Sequence, residues 1–218
     1  ACISLSQDIQ GQIFDYPEDF FKEKIHLIRR PRPDEFQIKE AAEKIKSSKK
    51  PILISGGGVF YSDAMDALSK FAIKHNIPVA QTVMGYSTMK RDHSHYAGQI
   101  GGLGGKNTNT LAKQTDLAIA VGTKLADFTT GSWANFENND FKLVSINVSR
   151  FDANKHLAQA VVGDARASLD ELSAVLGEWK APDEWNNKSQ AELKSWNEHV
   201  DKESAPTNQE VPSYVQVV

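Results

Sequence analysis

The sequence predicts an α/β fold, a Rossmann-like three-layer sandwich in which helices cover both faces of a mostly parallel sheet of about five or six strands. One observation is that short, uninterrupted apolar segments recur along the chain, as in strands buried on both faces. Another is that segments with apolar residues at helical spacing separate them. Strands that alternate with helices in this way are joined by right-handed crossovers into a parallel sheet.

Length, composition and charge limit the class of protein. The chain has 218 residues, of which 40% are hydrophobic and 24% are charged, enough for one well-buried domain with additional segments. A formal charge of −3 provides no basic surface for nucleic acid or an anionic membrane, so neither is expected as a partner. The apolar segments are too short to span a membrane and no charged-then-apolar leader precedes them, so we expect a cytoplasmic protein.

Residues 1–34 are predicted to form an irregular linker that contains a short apolar strand at 2–5 and ends at Pro31-Arg32-Pro33. Cys2 is the single cysteine and allows neither an intrachain disulfide nor a thiolate metal cluster. We expect it to be a small apolar residue of that strand. Because the chain opens in strand-like composition without a methionine, we expect the natural protein to extend further upstream.

The regular pattern of a central domain begins at residue 35. Asp34 is suited to cap a helix whose apolar face consists of Ile38, Ala41, Ala42 and Ile45. Pro51–Ser55 then predicts a strand buried on both faces. Ser62 and Asp63 are predicted to start the next helix, whose buried side carries Met65, Leu68 and Ala72.

The alternation of strands and helices continues to residue 177. Further strands are predicted at 78–83, 117–122, 142–148 and 158–162, with a long loop at 84–104 and a helix at 107–114. A helical stripe then consists of Ala165, Leu169, Leu172 and Leu176. Residues 178–218 are expected to be a helical linker, with a helix at 184–203 that presents Leu193, Trp196 and Val200.

A glycine-rich segment at 98–131 marks the predicted ligand-facing edge, because glycine permits tight turns and a helix N-terminus attracts phosphate. The nucleotide fingerprints are incomplete, however. The dinucleotide motif that starts at Gly56 has Tyr61 in place of its third glycine, and Gly105-Lys106-Asn107 lacks the serine or threonine of a P-loop. We therefore favour a structural strand-to-helix turn at residues 56–58 over a nucleotide site.

The sequence predicts no catalytic residue and no metal site. His93 and His95 lack a third ligand at usable spacing and are interpreted as a solvated loop pair. Gly163-Asp164-Ala165, with Asn186-Asn187 further on, departs from the glycine-aspartate-glycine motif that holds magnesium diphosphate, because its third residue is alanine. We interpret that segment as the start of a packed helix.

These segments, taken in order, resemble the central domain of the thiamine diphosphate enzymes related to acetolactate synthase and pyruvate oxidase. The matching features are Lys50–Gly58, Gly98–Asn109, Asp116–Gly122, Asp127–Gly131, Ile146–Val148 with Lys155, and Val162–Ala165. The flanks are similar to the ends of the family's two cofactor domains, Ile3–Asp8 to the pyrimidine-binding domain and Gln209–Val218 to the approach to the diphosphate-binding domain. Two segments are most similar to the branch that hydrolyses a cyclic 1,2-dione in myo-inositol catabolism, Leu5–Pro17 and Ile146–Ala153.

The resemblance implies a domain organisation. Residues 1–34 are an interdomain linker with the end of the pyrimidine-binding domain, 35–177 are the central domain, and 178–218 lead toward the diphosphate-binding domain. In this family, thiamine diphosphate and Mg²⁺ are bound mainly by the upstream and downstream domains. The resemblance therefore implies that this fragment is inactive alone, contacts both cofactor domains, and assembles as a homodimer or homotetramer.

Some members of this family bind FAD or a nucleotide on the central domain. By that resemblance, the candidate cofactor-binding residues are Gly101, Gly102, Gly104, Gly105, Asn109, Gly122 and Lys124. The family more often has arginine where this chain has Lys124, and lysine is a point charge rather than a bidentate phosphate ligand, so FAD is not expected. The alternatives are the central domain of an acetolactate synthase-like carboligase and a stand-alone nucleotide- or FAD-binding module.

Overall fold

Six parallel strands form the centre of the molecule, in the spatial order β3-β2-β1-β4-β5-β6. The structure is a computed structural model that describes residues 2–207 and 211–217. The strands are β1 (Pro51–Ser55), β2 (Val79–Gln81), β3 (Tyr96–Gln99), β4 (Leu117–Val121), β5 (Lys142–Asn147) and β6 (Gln159–Val162). The parallel sheet and its helices confirm the predicted α/β fold.

β1 and β4 adjoin at the centre of the sheet, where every residue of both strands is buried. They pair in register from Pro51 with Leu117 to Ser55 with Val121. Their unbroken apolar sequences suit this position, because both faces of a central parallel strand contact helices. The carboxyl ends of the two strands therefore lie side by side at one edge of the sheet.

Helices cover both faces of the sheet. They are α1 (Gln7–Gln10), α2 (Glu35–Lys46), α3 (Gly57–Tyr61), α4 (Met65–His75), α5 (Lys106–Gln114), α6 (Asp127–Thr130), α7 (Arg150–Ala153), α8 (Ala165–Leu176), α9 (Asp183–Ser204) and α10 (Tyr214–Val217). Buried residues of α2, α4 and α8 share one apolar cluster with Leu53 of β1. Ile52 and Ile54 belong to the other cluster, with residues of α5 and the start of α9. Successive side chains of β1 thus enter opposite layers.

Asp34 and Asp164 cap the first turns of two long helices, α2 and α8. Both helices were predicted, α2 from Asp34 and its apolar face and α8 from its apolar stripe. The Asp34 carboxylate accepts hydrogen bonds from the backbone N–H groups of Phe36 at 2.9 Å and Gln37 at 3.2 Å. Asp164 accepts in the same way from Arg166 at 3.1 Å and from Ala167. These bonds satisfy amide groups that have no partner within the first helical turn.

The start of the chain differs from the prediction. Residues 2–5 form no strand, and Cys2 is exposed rather than packed in one. Ile3 is 80% exposed, because no neighbouring strand of the described sheet pairs with this segment. The short apolar run is therefore part of the exposed linker.

The helix after β1 also begins differently. Ser62 and Asp63, predicted to start it, instead follow the separate short helix α3, and Asp63 adopts a φ of 50°. The chain can enter α3 directly from β1 because Gly57 and Gly58 begin its first turn. α4 then starts at Met65, and its buried side carries the predicted residues Leu68 and Ala72.

β3 lies inside the segment predicted as a long loop. It pairs with β2 through a register irregularity between Val79 and Ala80. Its residues are mostly buried, although Gly98 has a φ of 113°. A short strand with an interior glycine gives a weak sequence signal, which is why it was missed.

The last long helix, α9, confirms the helix predicted after the central domain. Trp185 in its first turn is buried, whereas its second half is largely exposed. Residues 208–210 and 218 lie outside the described part of the chain, so the structure does not address the similarity noted for Gln209–Val218 across those positions. Among the helices that the structure describes, none is both long and apolar enough to cross a membrane.

Candidate functional site

The carboxyl ends of β1 and β4 border a crevice, which we call the β1–β4 crevice. The strand order reverses between these two strands, and ligands of open parallel sheets bind at such a reversal. The crevice encloses about 330 Å³, and its lining includes Tyr61, Met84, Lys124 and Phe128. It therefore has the position of a ligand site and a mainly apolar wall with one cation.

Glycines bring the two loops at the base of the crevice to backbone contact. The Gly56 N–H donates to Val121 O and the Gly58 N–H to Gly122 O, both at 2.9 Å. A β-carbon on Gly58 would lie 2.6 Å from the Gly122 α-carbon. These contacts support the interpretation of residues 56–58 as a tight structural turn, because two of its N–H groups bond protein rather than face a ligand.

A second cavity of about 470 Å³ adjoins the β1–β4 crevice, and the two share Gly58, Tyr61 and Gly122 in their linings. The lining of this second cavity also includes Ile28–Pro31, part of a segment, residues 28–33, that we call the strap. Pro31 O accepts from the Asp164 N–H at 2.8 Å, and the Arg30 guanidinium donates to Asp164 at 3.0 Å. The strap thus ties the linker to the start of α8.

The glycine-rich loop after β3 is stabilised by its own hydrogen bonds. The Asn109 amide pairs with the backbone of Gly101, accepting from its N–H and donating to its carbonyl, each at 3.0 Å. The Gly102 N–H donates to Phe128 O at 2.7 Å. The Gly104 N–H donates to Gly101 O at 2.9 Å, and the Gly105 N–H donates to Gln99 O, at the end of β3, at 3.0 Å. The loop therefore does not offer these four amides to a phosphate.

The candidate cofactor-binding residues fall into two places. Gly122 and Lys124 line the β1–β4 crevice, and Gly101 and Gly102 contact Phe128 on its wall. Gly104 and Gly105 line a different cavity beside α9, and Asn109 stabilises the loop between the two groups. Ligand binding at any of these residues stays a prediction.

Basic and acidic side chains lie close together beside the β1–β4 crevice. Lys124 is exposed and lies near Asp152. The hydrogen bond from Lys155, at 2.8 Å, is the main reason that the pKa of Asp152 is lowered, and Lys124 adds a smaller effect. Lys124 is thus the cation of the crevice wall that could meet an anionic ligand.

The described residues do not fit magnesium diphosphate. No group of three or more histidine, cysteine, aspartate or glutamate side chains that could hold a metal occurs in 2–207 and 211–217. Asp164, in the segment that imitates the diphosphate motif, is 4% exposed and its two oxygens already accept from Arg30 and two helix N–H groups. These bonds support its interpretation as a helix start.

The histidine pair is structural, but it is less solvated than predicted. His95 is buried and its Nε2 lies 3.1 Å from Asn76 Oδ1, while His93 Nε2 lies 2.9 Å from Ser69 Oγ. Burial lowers the pKa of both rings. With their nitrogens engaged by protein groups, these imidazoles link α4 to β3 and are not directed at a common metal position.

Sequence reasoning missed the aromatic and cationic walls of the cavities. In the sequence, Tyr61 is notable only because it breaks a glycine motif, although it is 78% exposed and lines both cavities. Phe128 lies in a segment that matches the family but predicts no role for it, and Arg30 lies in the predicted linker. No local signal could have found Arg30, since its position depends on contacts with Ser62 and Asp164, far away in sequence.

Comparison with protein families gives a match over more than half of the chain. Residues 38–172 match the family described as "Thiamine pyrophosphate enzyme, central domain". The matched range contains the whole sheet and both loops of the β1–β4 crevice.

Curated relatives carry a common description, 3D-(3,5/4)-trihydroxycyclohexane-1,2-dione hydrolase. The chain is 40% identical over 200 residues to that of Clostridium perfringens (strain 13), which covers 92% of this chain and 31% of the relative. It is 48% identical over 176 residues to that of Clostridium botulinum (strain Alaska E43), and this match covers 81% of this chain and 27% of the relative. For Geobacillus thermodenitrificans the identity is 42% over 200 residues, with 92% and 31% covered. The chain spans less than a third of the length of these relatives.

Proposed function

Because this chain belongs to the thiamine pyrophosphate enzyme central-domain family, we propose that it is the non-catalytic central domain of a thiamine diphosphate- and Mg²⁺-dependent hydrolase. The proposed substrate is a cyclic 1,2-dione, trihydroxycyclohexane-1,2-dione, opened in myo-inositol catabolism. The observation that carries the proposal is the 40% to 48% identity to hydrolases of that description, which extends over most of the chain. We further propose that the enzyme acts in the cytoplasm.

The proposed role of this domain is to space and orient the cofactor domains. Tyr61, Met84 and Phe128 are each more than 70% exposed on the wall of the β1–β4 crevice. Exposed apolar side chains that cluster at one edge favour burial against another protein surface. We propose that this edge contacts the cofactor domains of a longer chain, within a homodimer or homotetramer, and that this fragment alone has no activity.

A chimeric enzyme tests the proposal. In the Clostridium perfringens hydrolase, the matched 200-residue region would be replaced by the corresponding residues of this chain. We expect the chimera to open the dione with thiamine diphosphate and Mg²⁺, because the parts of the protein that hold the cofactor are retained. The 218-residue chain alone should neither bind thiamine diphosphate in a calorimetric titration nor turn over the dione.

The control replaces the same region with the central domain of an acetolactate synthase, which should fail to restore dione opening. Turnover by the isolated chain, or micromolar binding of the cofactor to it, would contradict the domain assignment. If this chain restores acetolactate formation when it replaces the central domain of an acetolactate synthase, but does not support dione opening in the hydrolase, the carboligase alternative is favoured.

A stand-alone nucleotide-binding module is the second candidate. It is favoured by the place of the β1–β4 crevice at the reversal of strand order and by Lys124 on its wall. Calorimetric titration of the chain with FAD, NAD and ADP tests it, with Lys124→Gln as the matched variant. Micromolar binding that Lys124→Gln weakens would support this module, whereas no binding leaves the scaffold role.

A further inference from the structure

The part of the linker that precedes the strap exposes a large apolar surface, and we call residues 13–27 the arm. Seven of its fifteen residues are aromatic or large aliphatic, and each is at least 56% exposed: Ile13, Phe14, Tyr16, Phe20, Phe21, Ile25 and Leu27. At roughly 200 Å² for each large side chain, they present on the order of 1,000 Å² to solvent. Contiguous apolar patches on soluble monomers rarely exceed a few hundred Å², and larger ones mark interaction sites.

The four aromatic rings of the arm pack on one another. Tyr16 lies at the centre of this cluster, with its ring centroid 5.4 Å from that of Phe14, 4.8 Å from Phe20 and 6.0 Å from Phe21. The Phe20 N–H donates to Pro17 O at 2.8 Å and closes a short helical turn. Segments that stay disordered are poor in aromatic residues. Composition and contacts therefore both favour an ordered arm.

The domain does not hold the arm by polar contacts. Within residues 2–207 and 211–217, no hydrogen bond or ion pair joins residues 13–27 to a residue outside the arm. The chain is tied to the domain from the strap onward, where Arg30 donates to Asp164 at 3.0 Å. The apolar side chains of the arm are therefore available to another protein surface.

Charge is divided unequally along this part of the chain. Residues 13–21 carry three carboxylates and no lysine or arginine, whereas Lys24 and Arg29 follow them. Among the described residues, Asp15, Glu18, Lys24 and Arg29 form no ion pair. Glu18 and Lys24 share their midpoint in the sequence, to within one residue, with Asp15 and Arg29. One antiparallel pairing of two copies therefore brings both pairs of opposite charges together, as the self-complementary interface of a twofold dimer requires.

We propose that the arm is a self-association surface, on which the arm of a second copy of this chain docks antiparallel. The aromatic half of each arm then covers the aliphatic half of the other. The surface available matches the roughly 800 Å² that each partner contributes to a stable interface. Apolar contact supplies the affinity, and the charges set the direction of pairing. No residue of the arm lines the β1–β4 crevice, and the proposal goes beyond the function proposed for the longer enzyme.

Analytical ultracentrifugation of the 218-residue chain tests this proposal. We expect a dimer at a protein concentration of about 50 µM. Phe20→Ser should raise the dissociation constant of the dimer by about tenfold or more, because it removes an aromatic side chain from the centre of the interface.

Charge reversal tests the antiparallel pairing itself. Asp15→Lys/Glu18→Lys makes all four paired positions basic, and Lys24→Glu/Arg29→Glu makes all four acidic. Each variant alone should therefore sediment as a monomer, because like charges meet across the interface. When the two variants are mixed in equal amounts, opposite charges meet again and a heterodimer should form. Its formation also verifies that both variants are folded.

Asp201→Lys/Glu203→Lys is the matched control, since it changes the net charge by the same amount at exposed residues of α9 and should leave the dimer intact. An unmodified chain that is monomeric at about 50 µM overturns the proposal and favours another domain of a longer chain as the cover of the arm. A dimer that survives both reversals, or a mixture that stays monomeric, also overturns it. Dione opening by the chimera is measured separately, so failure of this proposal leaves the proposed function standing.

Discussion

At Gly122, the loop after β4 is in backbone contact with the turn after β1, at the base of the β1–β4 crevice. Its φ is +61°, and a β-carbon on it would lie 2.5 Å from the Gly58 α-carbon. Both the conformation and the contact therefore require glycine at this residue. The approach sets how closely the turn after β1 lies against the end of β4, and hence the depth of the crevice.

Replacement of Gly122 measures this requirement. We expect Gly122→Ala to lower the free energy of unfolding by about 2 to 4 kcal/mol, through left-handed strain and a backbone clash. Gly131→Ala is the matched control, because Gly131 has a similar φ of +59° but its nearest contact is a side-chain amide at 3.3 Å. Urea unfolding should show a smaller loss for Gly131→Ala, and equal losses would mean that the Gly58 contact contributes nothing.

Individual residues show what a sequence can and cannot predict about such a site. The glycines at 56–58 and 98–105 were predicted as turns or close approaches because glycine has that physical property. Which amides remain free for a ligand was not predictable. It depends on the Asn109 side chain, which accepts a hydrogen bond from the Gly101 N–H. It also depends on the Phe128 carbonyl, in a loop distant in sequence, which accepts one from the Gly102 N–H.

Among the elements, α9 is buried at its first turn and largely exposed over its second half. Trp185 in its first turn is 3% exposed and belongs to the apolar cluster on one face of the sheet. Its indole Nε1 donates to Pro51 O at 2.8 Å, which ties the helix to the start of β1. The helix is thus fixed at its first turn, and later residues such as Trp196 and Val200 line a cavity that also borders β3.

Trp185→Phe tests this attachment. The change removes the indole donor and leaves Pro51 O unsatisfied in a buried position, so we expect a loss of about 2 kcal/mol in the free energy of unfolding. Trp133→Phe is the control, since Trp133 is half-buried and its indole makes no hydrogen bond in the described chain; it should cost less than about 1 kcal/mol. Far-UV circular dichroism in urea measures both, and similar losses would contradict the attachment.

The elements that were predicted correctly have strong local signals. β1 is an unbroken apolar run, α2 has the Asp34 cap, and α8 has a regular apolar stripe. β3 was missed because it becomes a strand only by pairing with β2 and by contact with α9. The strand predicted at 2–5 had the right composition but no neighbour to pair with, since strands are completed by tertiary structure.

At the scale of the whole molecule, buried histidines make stability depend on pH. Burial lowers the pKa of His75, His93 and His95 below the ordinary value of 6.5. Between the folded and unfolded pKa values the unfolded chain binds more protons. The stability that these three histidines contribute is therefore present above pH 6.5. It is lost as the pH falls from 6.5 toward their pKa values in the folded chain.

Unfolding in urea between about pH 5.5 and 7.5 checks this dependence, in a range where carboxylates remain ionised. We expect the free energy of unfolding to fall as the pH is lowered through this range, and His95→Gln to reduce the slope. His26→Gln, at an exposed residue, serves as the control and should leave the slope unchanged. If the free energy of unfolding of the unmodified chain does not change with pH in this range, the pKa values of the three histidines are not lowered.

The two outer strands of the sheet have consequences for how copies of this chain can associate. On β3, Tyr96 O accepts from Gln190 of α9 at 3.1 Å and Ala97 O accepts from Asn107. On β6, the Val162 N–H donates to the Gln37 side chain at 2.8 Å. Side chains thus occupy backbone groups that would otherwise recruit a further strand, which protects the molecule from edge-to-edge aggregation. We therefore expect any self-association to use helical and loop surfaces, so that the described sheet stays six strands wide.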